Sequence, residues 1–91
     1  MTSSLAIIIP AFNEEKSIMD LVHAAHTVIR SLADNLKSEI IIVNDCSTDM
    51  TGEIAEKLNC TVLHLPVNLG IGGAMQTGFQ YAYANNFDYA V

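Results

Sequence analysis

Four short apolar runs, each parted from the next by a polar cluster and a stretch of helical periodicity, constrain this chain more than any other feature. They are Leu5-Ala6-Ile7-Ile8-Ile9, Glu39-Ile40-Ile41-Ile42-Val43, residues 61–65 and residues 87–91. Continuous β-branched runs of this length read as strands buried on both faces, not as alternating half-exposed ones. Pro10 is expected to halt the first. Over residues 14–33, Ile18, Leu21, Val22, Ala25, Ile29 and Leu32 recur mostly at three- and four-residue steps, which predicts an amphipathic helix started by Asn13 or the two glutamates. A shorter helix to about residue 58, capped by Thr48 or Asp49, would turn Ile54, Ala55 and Leu58 inward. A third opens at a glycine-rich turn, carries Met75, Phe79, Ala82 and Tyr83 on one face with Met75 and Phe79 as core candidates, and is closed by Asn85 and Asn86.

Strands alternating with helices imply βαβ units with right-handed crossovers, hence a mainly parallel sheet covered on both faces: a Rossmann-like three-layer α/β/α arrangement. To put helices on both faces the crossovers must reverse direction once, which predicts strand order 3-2-1-4. Ligands of such sheets bind outside the carboxyl ends of the strands. Three polar clusters fall there, residues 10–15, 44–49 and 68–73, and are expected to face one crevice. With 91 residues and no linker, repeat or low-complexity tract, the chain is one small domain.

Composition narrows the partners. The chain is 51% hydrophobic and 15% charged, which fits a packed core and not a disordered tail. A formal net charge of −6, with Lys16, Arg30, Lys37 and Lys57 as the whole basic complement, leaves no stripe to neutralise a nucleic-acid backbone. The same acidity means that a bound diphosphate would need backbone amides, a metal or further residues to balance it. Cys46 and Cys60 lack the spacing of a disulfide framework or zinc knuckle and read as reduced thiols of a cytoplasmic protein. No apolar run approaches the roughly 20 residues of a membrane span, so membrane association is expected only through segments outside these residues. His23 and His26 lie three apart on the first helix without an evident third metal ligand and read as helix-surface residues.

The polar clusters carry the candidate chemistry. In Pro10-Ala11-Phe12-Asn13-Glu14-Glu15 a base could rest against Phe12 while Glu14 accepts ribose hydroxyl protons; the same residues also suit a proline turn with acids at a helix start. Asp45, two residues beyond Val43, can accept a base imide N–H or a ribose hydroxyl, or serve as a turn residue, whereas Thr48 and Asp49 read as caps. Around Gly70, Gly72 and Gly73, backbone N–H groups unshielded by side chains offer a surface for phosphate or ribose, or simply a tight turn. A dinucleotide fingerprint would stand directly after the first strand, where this chain has Pro10-Ala11-Phe12-Asn13 instead.

Taken in order, Ile7-Ile8-Ile9-Pro10-Ala11-Phe12-Asn13-Glu14-Glu15, Ile42-Val43-Asn44-Asp45-Cys46-Ser47-Thr48-Asp49 and Asn68-Leu69-Gly70-Ile71-Gly72-Gly73-Ala74 resemble the successive signatures of family 2 glycosyltransferases, closest in flavour to the dolichol-phosphate mannosyltransferase-like members. The resemblance implies the N-terminal half of a GT-A fold, a UDP- or GDP-sugar donor, transfer with inversion and a divalent cation, Mg or Mn. It places Pro10, Phe12 and Glu14 in the nucleoside pocket, Asp45 on the base, and Gly70 and Gly72 in the loop closing over it. Asn44 and Cys46 stand where the family often has Asp and Gly, and Leu69 where a basic residue is frequent. The family's metal-binding DxD motif and catalytic base do not occur in residues 1–91, so the chain is expected to be the nucleotide-sugar-binding front of the domain, inactive alone, its metal ligands lying beyond residue 91. An open sheet edge would then favour dimers. Two rival readings remain from the residues themselves. One is a haloacid dehalogenase-type phosphatase with Asp45 as nucleophile, though Ser47 replaces the second acid of its DxDxT pattern; the other is a non-catalytic regulatory or nucleotide-binding α/β module.

Overall fold

The computed structural model describes residues 2–91. Its elements are β1 (Ser3–Ala11), α1 (Ile18–Arg30), β2 (Leu36–Asn44), α2 (Thr51–Glu56), β3 (Thr61–His64), α3 (Gly70–Ala84) and β4 (Tyr89–Ala90). The strands form one sheet in the order β3-β2-β1-β4, every pairing parallel, as the alternating pattern requires.

The central pairing runs from Ser3 opposite Leu36 to Ala11 opposite Asn44. Pro10 therefore lies within the strand and does not end it. Ile8 donates its N–H to the Val91 carbonyl on the β4 side. Pro10, two residues on, faces the same side above the end of β4, where its missing N–H breaks no ladder bond.

Two apolar layers sandwich the sheet. Ile18 and Val22 of α1 and Ala55 of α2 pack with Ile40 and Ile42 on one face. Ala74 and Ala82 of α3 pack with Ala6, Ile8, Ile41 and Val43 on the other. Residues 40–43 are buried throughout, as expected for a central strand, whereas β1 alternates: Ala6 and Ile8 are buried while Leu5, Ile7 and Ile9 are only half-buried. The first run is thus covered only in part on the α1 face, where Ile9 packs at the edge of the cluster.

The third helix corrects a second expectation. Phe79 is 42% exposed and Tyr83 is 87% exposed, and the buried face consists of Ala74, Gly78 and Ala82, with Met75 packed beside it. Packing distance is the reason. A Cβ on Gly78 would stand 2.4 Å from Ile8 Cγ2, so the helix approaches the sheet too closely for large side chains between them. Asn86, in the left-handed conformation at φ 61°, turns the chain out of α3 and into β4, as its place in the sequence suggested.

Candidate functional site

The carboxyl ends of β1 and β2 deliver two loops to one edge of the sheet, and the start of α3 arrives beside them. Between them lies a cleft of about 290 Å³ lined by Pro10, Ala11, Phe12, Glu14, Asp45 and Ile71. Four residues singled out in the sequence thereby share one wall. Phe12 is 46% exposed, presenting its ring to the cleft mouth. Glu14 keeps one carboxylate oxygen on the Ser17 hydroxyl at 2.8 Å, just ahead of α1. Helix α1 starts at Ile18 and not at Glu14; ahead of it the chain makes a turn in which the Ser17 and Ile18 N–H groups are both donated to the Glu14 carbonyl.

Asp45 is buried, 3% exposed, and its carboxylate accepts the Leu69 N–H at 2.6 Å and the Gly70 N–H at 2.8 Å. Its own N–H is donated to the Ala11 carbonyl, which ties the two loops at their roots. A carboxylate here satisfies two amides left over at the start of a helix and meets the positive end of the helix dipole. Gly70 is in the left-handed conformation at φ 79°, the geometry that lets both amides converge on one acid. The expectation that the Gly70 amide faces phosphate or ribose is corrected accordingly: the protein's own acid holds it. Gly72 stands exposed in open space within the first turn of α3 and does not line the cleft.

The loop after β2 is bound to the loop after β1 by a set of reciprocal hydrogen bonds. Asn13 donates its N–H to Ser47 Oγ at 3.0 Å and accepts the Thr48 N–H on its side-chain oxygen at 2.8 Å. Glu14 donates its N–H to Thr51 Oγ1 at 2.8 Å, and Glu15 donates its N–H to Asp49 at 3.3 Å. In return Met50 donates its N–H to the Glu15 carboxylate at 3.2 Å. Asn13 and Cys46 both take left-handed backbone, at φ 53° and 59°, which Asn tolerates and Cys seldom adopts. Asn44 anchors the base of the second loop, accepting the Ser47 N–H while its amide nitrogen meets His64 Nδ1.

Asp49 is thus more than a cap of α2. Burial works to raise its pKa, but hydrogen bonds from the Thr51 hydroxyl, the Thr51 N–H and the Glu15 N–H outweigh it and hold the carboxyl below its ordinary value of 3.8. Burial, together with the nearby Glu56 charge, pushes the Cys60 thiol up, in keeping with an inert cysteine. His26 meets the Asn59 carbonyl at 2.8 Å through Nε2. Among the described residues, no group of three or more His, Cys, Asp or Glu side chains is placed to hold a metal ion. Asp45 stands in no such group, so the described residues do not make a site for the divalent cation that the resemblance implies. No helix of the described residues is long and apolar enough to cross a membrane.

A larger cavity of about 530 Å³ opens at the opposite, amino-terminal edge of the strands, beside His26, Lys37, Asn59 and Phe87. The carboxyl-end cleft is the better candidate because helices of a parallel sheet present their N-terminal, anion-favouring ends there and their carbonyl ends at the other edge. Ala11 and Ile71 complete that cleft, and sequence reasoning passed over both. An apolar residue inside a glycine-rich turn was the available signal for Ile71, which is 76% exposed.

A Rossmann-like parallel sheet with a cleft gathering its conspicuous acids and aromatic at the carboxyl edge defines an α/β protein with a candidate ligand site. Within that class the chain belongs to glycosyl transferase family 2, whose model matches residues 6–87. It is 38% identical over 82 residues to a dolichyl-phosphate beta-glucosyltransferase, ALG5A, of Trichomonas vaginalis, covering 81% of this chain and 25% of that protein. It is 35% identical over 69 residues to the poly(ribitol-phosphate) beta-N-acetylglucosaminyltransferase TarS of Staphylococcus aureus, covering 71% of this chain and 12% of TarS. The crystal structure of S. aureus TarS 1-349 in complex with UDP superimposes with a TM-score of 0.78 at 28% identity, over 100% of this chain and 26% of that one. The chain therefore spans about a quarter of the length of ALG5A and of the TarS structure. The fold is the parallel α/β sheet of a GT-A glycosyltransferase, as the motifs implied. Family membership removes the phosphatase reading.

Proposed function

We propose that residues 1–91 bind the nucleoside diphosphate of a UDP- or GDP-sugar for transfer of the sugar to an acceptor hydroxyl or phosphate. The observation that carries this is the cleft itself, in which Pro10, Phe12, Glu14 and Asp45 converge at the carboxyl ends of adjacent parallel strands. A base lies against Phe12 and beside Ile71; the ribose hydroxyls meet Glu14; a base or ribose donor reaches the remaining lone pairs of Asp45. Likeness to TarS crystallised with UDP and with UDP-GlcNAc supports a uridine nucleotide over a guanosine one. Relatives sharing this segment are named for different acceptors, dolichyl phosphate, poly(ribitol-phosphate) and diaponeurosporenoate. Shared sequence alongside differing acceptors supports a donor-side role.

The reaction proposed is a single displacement. An acceptor oxygen forms the new bond to the anomeric carbon as the bond to the nucleoside diphosphate breaks, which inverts that carbon, in accord with the beta products named for ALG5A and TarS. The acceptor's proton goes to a base that we place outside residues 1–91, with the carboxylates for the divalent cation, so the chain alone performs no transfer. Gly70 acts through backbone shape, by presenting its amide to Asp45. We place the protein in the cytoplasm, where sugar nucleotides are available, and propose self-association through the short β4 edge at high concentration.

Calorimetric titration of UDP and GDP against the chain and against Phe12→Ala tests the reading. The substitution lies on an exposed side chain outside both core clusters and should leave the fold intact. Removing the stacking surface should weaken UDP about tenfold. Binding that Phe12→Ala leaves unchanged, or no binding of either nucleotide, would refute the proposal.

A further inference from the structure

The cleft wall formed by Phe12 and Glu14 has little packing to fix it. Phe12 is 46% exposed, and the residue between them, Asn13, holds left-handed backbone at φ 53°. The wall is held instead by amides donated across to the facing loop, and one of these bonds depends on a group that does not touch the cleft. Thr51 is fully buried, and its hydroxyl donates to Asp49 Oδ1 while accepting the Glu14 N–H at 2.8 Å. The Thr51 N–H also donates to Asp49 Oδ1, at 2.9 Å, and the other Asp49 oxygen accepts the Glu15 N–H at 3.3 Å.

A threonine hydroxyl rotates, and its proton goes where an acceptor waits. A carboxylate offers only acceptors, so Asp49 draws the Thr51 proton toward itself and turns a lone pair toward the Glu14 amide. Without the Asp49 charge the hydroxyl is free to rotate, and its proton can face the Glu14 N–H, which then loses its partner. The Glu15 amide loses its acceptor in the same step. The relay thus transmits the state of the second loop to the backbone that presents Phe12 and Glu14.

We propose that Asp49, acting through the Thr51 hydroxyl, is a positioning residue that preorganises the Phe12–Glu14 wall for the nucleotide, an inference that rests on the donor-binding reading for its functional consequence. Neither residue lines the cleft, so neither needs to contact the ligand. Preorganisation of this kind raises affinity by removing the ordering that binding would otherwise require.

The test compares Thr51→Val, which keeps shape and removes the hydroxyl, with Thr51→Ser, which keeps the hydroxyl, and with Asp49→Ala and the Asp49→Ala/Thr51→Val pair. UDP affinity is measured by calorimetry and Glu14 amide exchange by NMR, at a temperature where melting curves show each variant folded. Thr51→Val and Asp49→Ala should each weaken UDP about tenfold and speed Glu14 exchange about tenfold, with the pair no worse than either alone, as for groups acting in one relay. Thr51→Ser should match the parent in both readouts, which a merely structural cost would not produce. Additive losses in the pair, or an unchanged Glu14 exchange rate in Thr51→Val, overturn the proposal. Should Thr51→Val fail to fold, Asp49→Ala decides the matter by the same exchange rate. If the parent chain binds no UDP, the donor reading fails separately, and Glu14 exchange still decides whether the relay orders the wall.

Discussion

Replacing Asp45 by Asn changes one buried atom and should be among the most damaging conservative substitutions in the chain. The carboxylate accepts two amides, from Leu69 at 2.6 Å and Gly70 at 2.8 Å, and is 3% exposed. Asn keeps one oxygen, so one of those bonds survives as a neutral pair. The other amide then faces an NH2 group and cannot be satisfied. A hydrogen bond to a charged acceptor contributes about 1.5–3 kcal/mol, and a buried donor left unpaired costs about 1–3 kcal/mol. Loss of the negative charge at the N-terminus of α3 adds about 0.3–1 kcal/mol. These effects overlap, because the lost bond and the unpaired amide are the same group, and a net loss of about 2–4 kcal/mol follows. For a domain of this size each kcal/mol moves the melting temperature by roughly 4–8 °C, so Asp45→Asn should melt about 8–32 °C lower than the parent. Thermal denaturation followed by far-UV circular dichroism measures it. A drop under about 4 °C, less than the shift expected for 1 kcal/mol, would show that the Asp45 carboxylate does not hold the start of α3, and the cap would have to be assigned elsewhere. Donor affinity is a separate readout: in the folded fraction Asp45→Asn should weaken UDP by about ten- to a hundredfold.

Gly78→Ala places a methyl 2.4 Å from Ile8 Cγ2 and should cost about 1–3 kcal/mol by overpacking, read as a lower denaturant midpoint with an unchanged slope. Gly72→Ala meets nothing within 4 Å and should raise helix stability by up to about 1 kcal/mol; a melting temperature that falls would contradict its open placement. Cys46→Gly relieves a non-glycine residue at φ 59° and should stabilise by about 0.5–1 kcal/mol after the added freedom of the unfolded chain, with a lower melting temperature as the refuting result. The carboxyl of Asp49 titrates below 3.8 in the folded chain, so its contribution to stability is present above 3.8 and is lost as pH falls through the lower folded value. The stability gap between parent and Asp49→Asn should therefore be full at neutral pH and close under acid conditions; a gap that widens on acidification would refute the assignment.

The alternation of apolar runs and helical periodicity was enough to determine a parallel sheet in the order β3-β2-β1-β4, because right-handed crossovers and two covered faces leave few other arrangements. The same logic put Pro10, Phe12, Glu14 and Asp45 at one edge, since residues just beyond parallel strands must emerge together. The motifs in order also identified the family that residues 6–87 match. Tertiary structure decided what those residues do with their polar atoms. No periodicity records that Asp45 would close the start of α3, that Thr51 would meet Glu14, or that Asp49 would join two loops, because each bond pairs groups far apart in sequence. It also reversed the placement of Phe79. A helical wheel ranks residues by apolarity, but the distance between α3 and β1 is set by Gly78 against Ile8, and at that distance small side chains fill the interface while the larger Phe79 turns outward. Local pattern determines which elements form and which way they run; the fit of side chain against side chain, and of donor against acceptor across the fold, exists only once those elements have come together.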